Sequence, residues 1–492
     1  EADSLPHARA RAWEIMTPAR QGAILAALGI EPDTLFDPAP GRREHPRLTP
    51  AGLQSKRSLA LRRAAMLAVN ALTVGALFWG IHTVFAPGGL SASDLVILGC
   101  FLVGVPWTVM GVWNAVAGLW LLHGARDGLG LVAPHLAAGE GDAPVRLRIA
   151  LATTLRNEDP ARPLARLAAM RESLDATGQG GQADIFVLSD TSDPAIAAEE
   201  ERLFAEMRPA LGGARATYRR RARNAGFKAG NIRDWVMRWG ADYDAFLPLD
   251  SDSLMSGPEI LRMARIMQAH PRIGILQGLV VGAPARSAFA RIFQFGMRHG
   301  MRSFTMGATW WQGDCGPFWG HNALIRTAPF RRHCRLPMLP GSPPLGGHVL
   351  SHDQIEAALM RRGGYEVRVI PVEAESWEEN PPTLMDFTKR DLRWCQGNMQ
   401  YWRLLGLKGL RPTSRFQLVA AIMMYLGAPA WMLMTAAAAS KLFVGDGGVN
   451  LAFGIAMFFI MFAVSLMPKL LGLLDVALTP GGAARYGGRL RL

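Results

Sequence analysis

Apolar positions follow two different rhythms along this chain, and the change of rhythm divides it. Residues 64–85, 95–122 and 416–440 contain no Asp, Glu, Lys or Arg, and 451–474 is nearly as apolar despite Pro468 and Lys469. Each run exceeds the roughly 20 residues that cross ~30 Å of hydrocarbon at ~1.5 Å per residue, so four membrane-spanning helices are predicted. Between the two pairs, short β-rich runs at 145–153, 183–188, 214–219, 245–249, 273–280 and 366–372 alternate with helical stretches. That alternation predicts an α/β domain with a mostly parallel sheet. Residues 286–304 and 384–405 carry apolar positions at helical spacing with arginines on another face, the pattern of helices lying flat at a bilayer surface.

Charge sets the orientation. Arg42, Arg43, Arg47, Lys56, Arg57, Arg62 and Arg63 crowd the segment before the first span, while the connector 86–94 has no basic residue. The positive-inside rule then puts the N-terminus in the cytosol, and two crossings return the large block to the same side. The expected division is a basic N-terminal region 1–63, spans 64–122, a catalytic-type domain 123–380, an interfacial region 381–413, spans 414–480 and a basic tail 481–492. No secretory signal peptide is expected. The missing initiator Met and the arginine-rich end at Leu492 suggest a shortened chain. The net charge of +13 lies largely beside the spans, which favours anionic lipid over nucleic acid as its counterpart. Cys100, Cys315, Cys334 and Cys395 form no C-x-x-C pair, so neither a disulfide framework nor a zinc site is indicated.

Polar residues follow the predicted strands: Thr154, Arg156, Asn157 and Glu158; Ser189 and Asp190; Asp250, Ser251 and Asp252. Open α/β sheets bind ligands outside the carboxyl ends of their strands. Asp250 and Asp252, two residues apart beyond a strand, can turn both carboxylates toward one hard cation, Mg²⁺ or Mn²⁺. By itself D-x-D is as ordinary in a turn or helix cap. Asp353 opens a helix that Gly363 and Gly364 stop, and it suits either an N-cap or a general base. Lys389, Arg390, Arg393 and Trp394 join phosphate-binding forks to a flat ring that can stack on a sugar, and an interfacial helix uses the same residues.

In this order Asp190, Asp250-x-Asp252, Ser351-His352-Asp353 and Arg390-x-x-Arg393-Trp394 resemble the D, D-x-D, T-E-D and Q-x-x-R-W signatures of processive family 2 glycosyltransferases, the group of cellulose and hyaluronan synthases. The runs Val187–Asp190, Gly226–Asn231, Phe318–Asn322 and Arg393–Asn398 resemble more specifically the membrane glucosyltransferases that build the β-1,2 backbone of osmoregulated periplasmic glucans. The resemblance implies a Rossmann-like GT-A domain, cytosolic and inserted between transmembrane helices of the bacterial inner membrane, and an inverting transfer from UDP-glucose to a growing glucan. It implies donor contacts from Thr154, Glu158, Asp190, Lys228, Asp250, Arg390 and Arg393, and metal binding by Asp250 and Asp252. Asp353 is implied as base, with Trp394, Phe318, Trp319, Gly320 and His321 on the acceptor side. It also implies acyl carrier protein as a partner for the basic N-terminal segment, and periplasmic glucan-processing proteins downstream. Arg390 replaces the usual Gln, and Ser351-His352 replaces Thr-Glu, which changes the surroundings of the acceptor. Another polysaccharide synthase, or a transporter component whose α/β domain only senses a nucleotide, are the alternatives. Against the second, the chain has no G-x-x-x-x-G-K-[ST] phosphate loop.

Overall fold

The computed structural model describes residues 52–444 and 448–482. The basic cluster at Arg42, Arg43 and Arg47 and the tail beyond 482 lie outside the described residues. The first apolar run is a helix, α1 (Lys56–Phe85), begun by Ser55, whose side chain accepts from the Ser58 amide at 3.0 Å. A Pro-Gly-Gly turn, with Gly89 at φ 72°, reverses the chain into α2 (Ala92–His123). There Ser91 and Asp94 satisfy each other's backbone amides in a capping box.

The central block then folds as α/β. Strands β1 (Ile149–Leu155), β2 (Ala183–Ser189), β3 (Ala216–Arg220) and β4 (Ala245–Leu249) are joined by helices α3 (Ala161–Ala176), α4 (Pro194–Met207) and α5 (Phe227–Arg238). After β4 come β5 (Leu254–Met255), α6 (Gly257–Ala269) and β6 (Ile273–Gly282). They are followed by α7 (Ala288–Arg298), α8 (Met301–Gln312), β7 (Ala323–Arg326) and α9 (Thr327–His333). The domain closes with α10 (His352–Arg362), β8 (Glu366–Glu378) and α11 (Leu384–Gln400). The last two apolar runs form α12 (Pro412–Val444) and α13 (Leu451–Leu478).

The eight strands of the described residues form one sheet in the order β3-β2-β1-β4-β7-β6-β8-β5. The pairs β2–β3, β1–β2, β1–β4 and β6–β8 are parallel, whereas β7 runs against both β4 and β6, and β5 against β8. The sheet is therefore mixed but mostly parallel, as expected: β1, β2, β3, β4, β6 and β8 run one way, and only β5 and β7 run against them. Six strands stand where the pattern of residues places them. The two unanticipated ones, β5 and β7, are two and four residues long, too short to show a period. On one face Phe186, Trp235, Trp239, Tyr243, Phe246 and Phe330 interlock ring to ring. Parallel strands β1, β2 and β4 are buried along their length, which explains why they read as continuous apolar runs.

The chain separates into two compact units. One holds the sheet domain (135–290 and 314–415), the other residues 52–134, 291–313, 416–444 and 448–482. In the second unit Leu77, Val84, Phe101, Val105, Val109 and Met457 pack together. Four helices, Lys56–Gly88, Ala92–His123, Pro412–Phe443 and Leu451–Leu478, are long and apolar enough to cross a membrane. They leave Trp79, Leu442, Phe443, Phe458 and Phe459 exposed, as lipid contact requires. The amphipathic stretch expected as one helix over 286–304 is two, broken at Gly300, whose φ of 83° no continuous helix allows. Helix α8 lies against α2 so closely that a Cβ on Gly118 would overlap the Ser303 carbonyl, and one on Gly307 would overlap that of Asn114. A Gly118→Ala variant is expected to lose about 1–3 kcal/mol of stability from this overpacking, read as a lower melting temperature in detergent, whereas Gly104→Ala, where a Cβ meets nothing, stays near the parent.

Candidate active site

The carboxyl ends of β1, β2 and β4 point to one edge of the sheet. There Asp190 is buried and held by both nitrogens of one fork: Arg221 Nε donates to Oδ1 at 2.6 Å and Nη2 to Oδ2 at 2.7 Å. This bidentate pairing leaves only the remaining lone pairs of Asp190 for a ligand. Thr154 lies beside it at the end of β1, its hydroxyl loosely directed at the Leu249 carbonyl at 3.5 Å. Asn157, at φ 54°, turns the chain out of β1 and accepts from the amides of Ser192 and Asp193 at 2.9 and 3.1 Å, which ties the loops after β1 and β2 together.

Two acids dominate the centre. Asp250 pairs with Lys228, which enters from the first turn of α5 after Gly226 and Phe227 have both taken positive φ. Burial opposes the Asp250 charge, but Lys228 and then His321 and His352 more than offset it, and its carboxyl falls to about 2. Asp252 has no such partner. Loss of water, Asp250 and Glu378 push it up to about 6, and among the described residues it forms no ion pair. Glu158 stands at the open rim, yet its carboxyl rises to about 7 through loss of water and then through Asp250 and Asp252. The edge thus gathers more negative charge than its own residues neutralise.

The opposing wall is the loop 318–322. Buried Gln277 shapes it, accepting from the Trp319 amide at 2.9 Å and donating to the His321 carbonyl at 3.1 Å. His321 Nε2 lies 3.3 Å from Glu378 Oε2. Phe318 is wholly buried, which leaves Trp319 and His321 as the partly exposed side chains of this wall. Gly320, at φ 86°, turns toward the start of α10, where its missing Cβ would stand 3.6 Å from Asp353 Cβ and 3.8 Å from His352 Cε1.

Helix α10 begins one residue earlier than expected. Ser351 occupies the N-cap position without a side-chain bond, and Asp353 lies inside the first turn, so the N-cap alternative for Asp353 fails. Its carboxylate lies instead beside Tyr401, whose single hydroxyl proton goes mainly to the Ser351 carbonyl at 2.8 Å and is shared more weakly with Asp353 Oδ1 at 3.4 Å. His352 points the other way, with Nδ1 2.8 Å from Glu356 Oε2. Burial works against a charged His352, but Glu356 outweighs it and the pKa is raised. A folded-state pKa above the unfolded one contributes stability that is complete below the unfolded value near 6.5 and fades as pH climbs through the folded value. The melting temperature of the parent is therefore expected to fall between pH 6 and 9 more steeply than that of Glu356→Gln, in paired thermal melts across that range.

Helix α11 supplies the cations. Arg390 lies over the Trp394 ring, 4.5 Å from its centroid, and is half-buried facing Glu378 and Asp252. Its Nε is buried with no acceptor among the described residues. Arg393 and Trp394 are more exposed on the same helix. A Cβ on Gly397 would overlap Ser351, so this glycine lets α11 close onto the start of α10. The chain thus brings Glu158, Lys228, Asp250, Asp252, His321, His352, Asp353 and Arg390 to one sheet edge. Arg221, Gln277, Glu378 and Tyr401 are site residues that no local pattern singled out; each acts through a partner distant in sequence.

Residues 245–468, which include the D-x-D after the fourth strand, match the family described as "Glycosyl transferase family group 2". The chain is 41% identical over 403 residues to a "Glucans biosynthesis glucosyltransferase H" of Rhodopseudomonas palustris (strain BisA53), across 82% of this chain and 55% of that one. It is 40% identical over 471 residues to a protein of the same name from Xanthomonas campestris pv. campestris (strain B100), across 91% of this chain and 70% of that one. It therefore belongs to the glucans biosynthesis glucosyltransferase H family, within group 2 of the glycosyl transferases, and its sheet domain is of the GT-A class. The chain spans little more than half the length of the first of these relatives. Among solved structures it is similar to a mannosyltransferase from Pyrobaculum calidifontis in complex with GDP-Man and Mn²⁺, at 16% identity and TM-score 0.46, covering 72% of this chain and 97% of that one.

Proposed function

We propose that this chain is an inverting glucosyltransferase that polymerises glucose from UDP-glucose into the β-1,2-linked backbone of osmoregulated periplasmic glucans, at the cytosolic face of the bacterial inner membrane, and carries the product across it. The observation that supports this most is the approach of the 318–322 loop to both the D-x-D edge and the start of α10, which sets an acid pair and a separate carboxylate about one site.

Asp250 and Asp252 would hold the divalent ion. The donor set fits: hard carboxylate oxygens, one of them without a cationic partner and pushed up by neighbouring acids. Among the described residues no third His, Cys, Asp or Glu completes a protein cage, which suits Mg²⁺ or Mn²⁺ taking its other ligands from water and diphosphate. When bound, such an ion neutralises charge on the departing diphosphate. Lys228, Arg390 and Arg393 add fixed positive charge to the same end of the donor, while Thr154, Glu158 and Asp190 border the nucleoside. Trp394, with Trp319, offers a flat face to the acceptor sugar.

Asp353 takes the proton of the acceptor hydroxyl as its oxygen forms the bond to the anomeric carbon, and the bond from that carbon to the UDP oxygen breaks on the opposite side. One base and no covalent intermediate give inversion. Tyr401 orients the Asp353 carboxylate, and His352, tied to Glu356, leaves it unshared on its other side. The purified chain in lipid nanodiscs, given each UDP-sugar with Mg²⁺, is expected to release UDP from UDP-glucose and yield β-1,2-linked polymer. A β-1,4 product, or preference for a different UDP-sugar, would favour the cellulose- or hyaluronan-like reading. No UDP release from any sugar would favour the sensor reading.

A further inference from the structure

At the opposite edge of the sheet from the D-x-D, the amino ends of β1 and β4 and the carboxyl end of β7 border a cavity of about 610 Å³. Arg148, Arg326, Arg331, Arg332 and Arg335 line it, against only two carboxylates, Asp242 and Asp244. Five guanidinium groups around one cavity are not explained by the catalytic reading, because none of them is near Asp250, Asp252 or Asp353 along the strands. Part of the cluster has an ordinary role, since Arg331 and Arg332 complement the carboxyl end of α9.

The remainder is short of acceptors. Among the described residues Arg326 donates only to main-chain carbonyls, of Ile273 at 3.3 Å and Met267 at 2.7 Å. Among the described residues Arg331 and Arg335 form no ion pair, and Arg335 Nε is buried with no acceptor. Arg148 lies over the Tyr243 ring and 3.5 Å from Asp184. Directly behind, Arg233 is buried with its own Nε unpaired and gives one bond, at 2.8 Å, to the Arg331 carbonyl. Burial first, then Arg335 and Arg331, hold the Arg233 guanidinium down at about 10, with Cys334 and Glu356 only partly opposing them.

We propose that this cavity is a second anion site, which binds the phosphate groups of a free small solute such as a nucleotide. Arginine suits this ligand because its planar fork bonds two phosphate oxygens at once, and a bound phosphate would give Arg335 Nε and the Arg331 fork acceptors. The site is linked by covalent backbone to the catalytic edge: Asp244 leads into β4, which ends at Leu249 just before Asp250, and Arg326 closes β7, which begins beside Asn322. Its location does not depend on the proposed function.

The test uses the full chain in detergent with EDTA, so that no divalent ion carries phosphate to the D-x-D, and isothermal titration with sodium pyrophosphate. One binding event is expected, weakened at least tenfold in Arg331→Ala/Arg335→Ala and unchanged in Asp252→Asn. Titration with glycerophosphoglycerol, the lipid-headgroup analogue, is expected to be weaker. Absence of binding in the parent, equal binding in the double variant, loss through Asp252→Asn, or tighter binding of the headgroup analogue would each overturn the assignment. If the double variant does not fold, Arg332→Glu on the exposed rim is expected to weaken pyrophosphate several-fold, and unchanged binding there would overturn it equally.

Discussion

Asp353→Asn is expected to lower glucosyl transfer about 10²–10⁴-fold while leaving the affinity for UDP within a factor of about two. Asparagine keeps the shape of the side chain and can still meet the Tyr401 hydroxyl, so the start of α10 should not move. What is lost is the capacity to take a proton in the transition state. The split matters more than the size of the loss. A fall in rate with donor binding intact assigns Asp353 to the acceptor, whereas a parallel loss of both would make it a structural residue. Tyr401→Phe supplies the intermediate case, because it removes the bond that orients the carboxylate but not the carboxylate itself. Initial rates of UDP release, with UDP inhibition constants for the same preparations, check both variants.

Asp252→Asn is expected to cost about 10²–10³-fold in transfer, and for a different reason. Asp252 forms no ion pair among the described residues and is crowded by Asp250 and Glu378. Neutralising it relieves that repulsion, so without metal the variant should melt no lower than the parent at pH 7. Addition of Mn²⁺ and UDP should then raise the melting temperature of the parent and not of the variant. A variant that lost activity and also melted lower without metal would point to a structural role for this carboxylate instead. Asp250 makes a poorer test, since its removal strands Lys228 as well.

Much of this arrangement could be read from residue order, and the misses share one cause. The apolar runs are longer than a membrane is thick, and the buried parallel strands are short, mainly apolar runs followed by polar residues. Both signals are local and strong. The strand β7, which turns the sheet from parallel to mixed, is four residues of Ala-Leu-Ile-Arg and exists because β4 and β6 flank it. Gly300 sits in a stretch that keeps helical spacing on both sides, so the break there is visible only as a backbone angle. At the site, D-x-D and the Asp353 helix stand out by position. Arg221 at Asp190, Gln277 behind Trp319 and Tyr401 at Asp353 do not, because their partners are 31, 42 and 48 residues away. The same holds for the glycines at 118, 307 and 397, whose need for a bare Cα comes from another element's backbone or side chain.

The whole account depends on the acid pair and Asp353 serving one cleft. A cryo-electron microscopy structure of the chain with UDP and Mn²⁺ tests this most directly. The expected result is the ion on Asp250 and Asp252, the diphosphate toward Lys228 and Arg390, and open space beside Asp353 for an acceptor hydroxyl within about 3 Å of its carboxylate. Nucleotide bound elsewhere, or an ordered ligand with protein filling the space between it and Asp353, would contradict it.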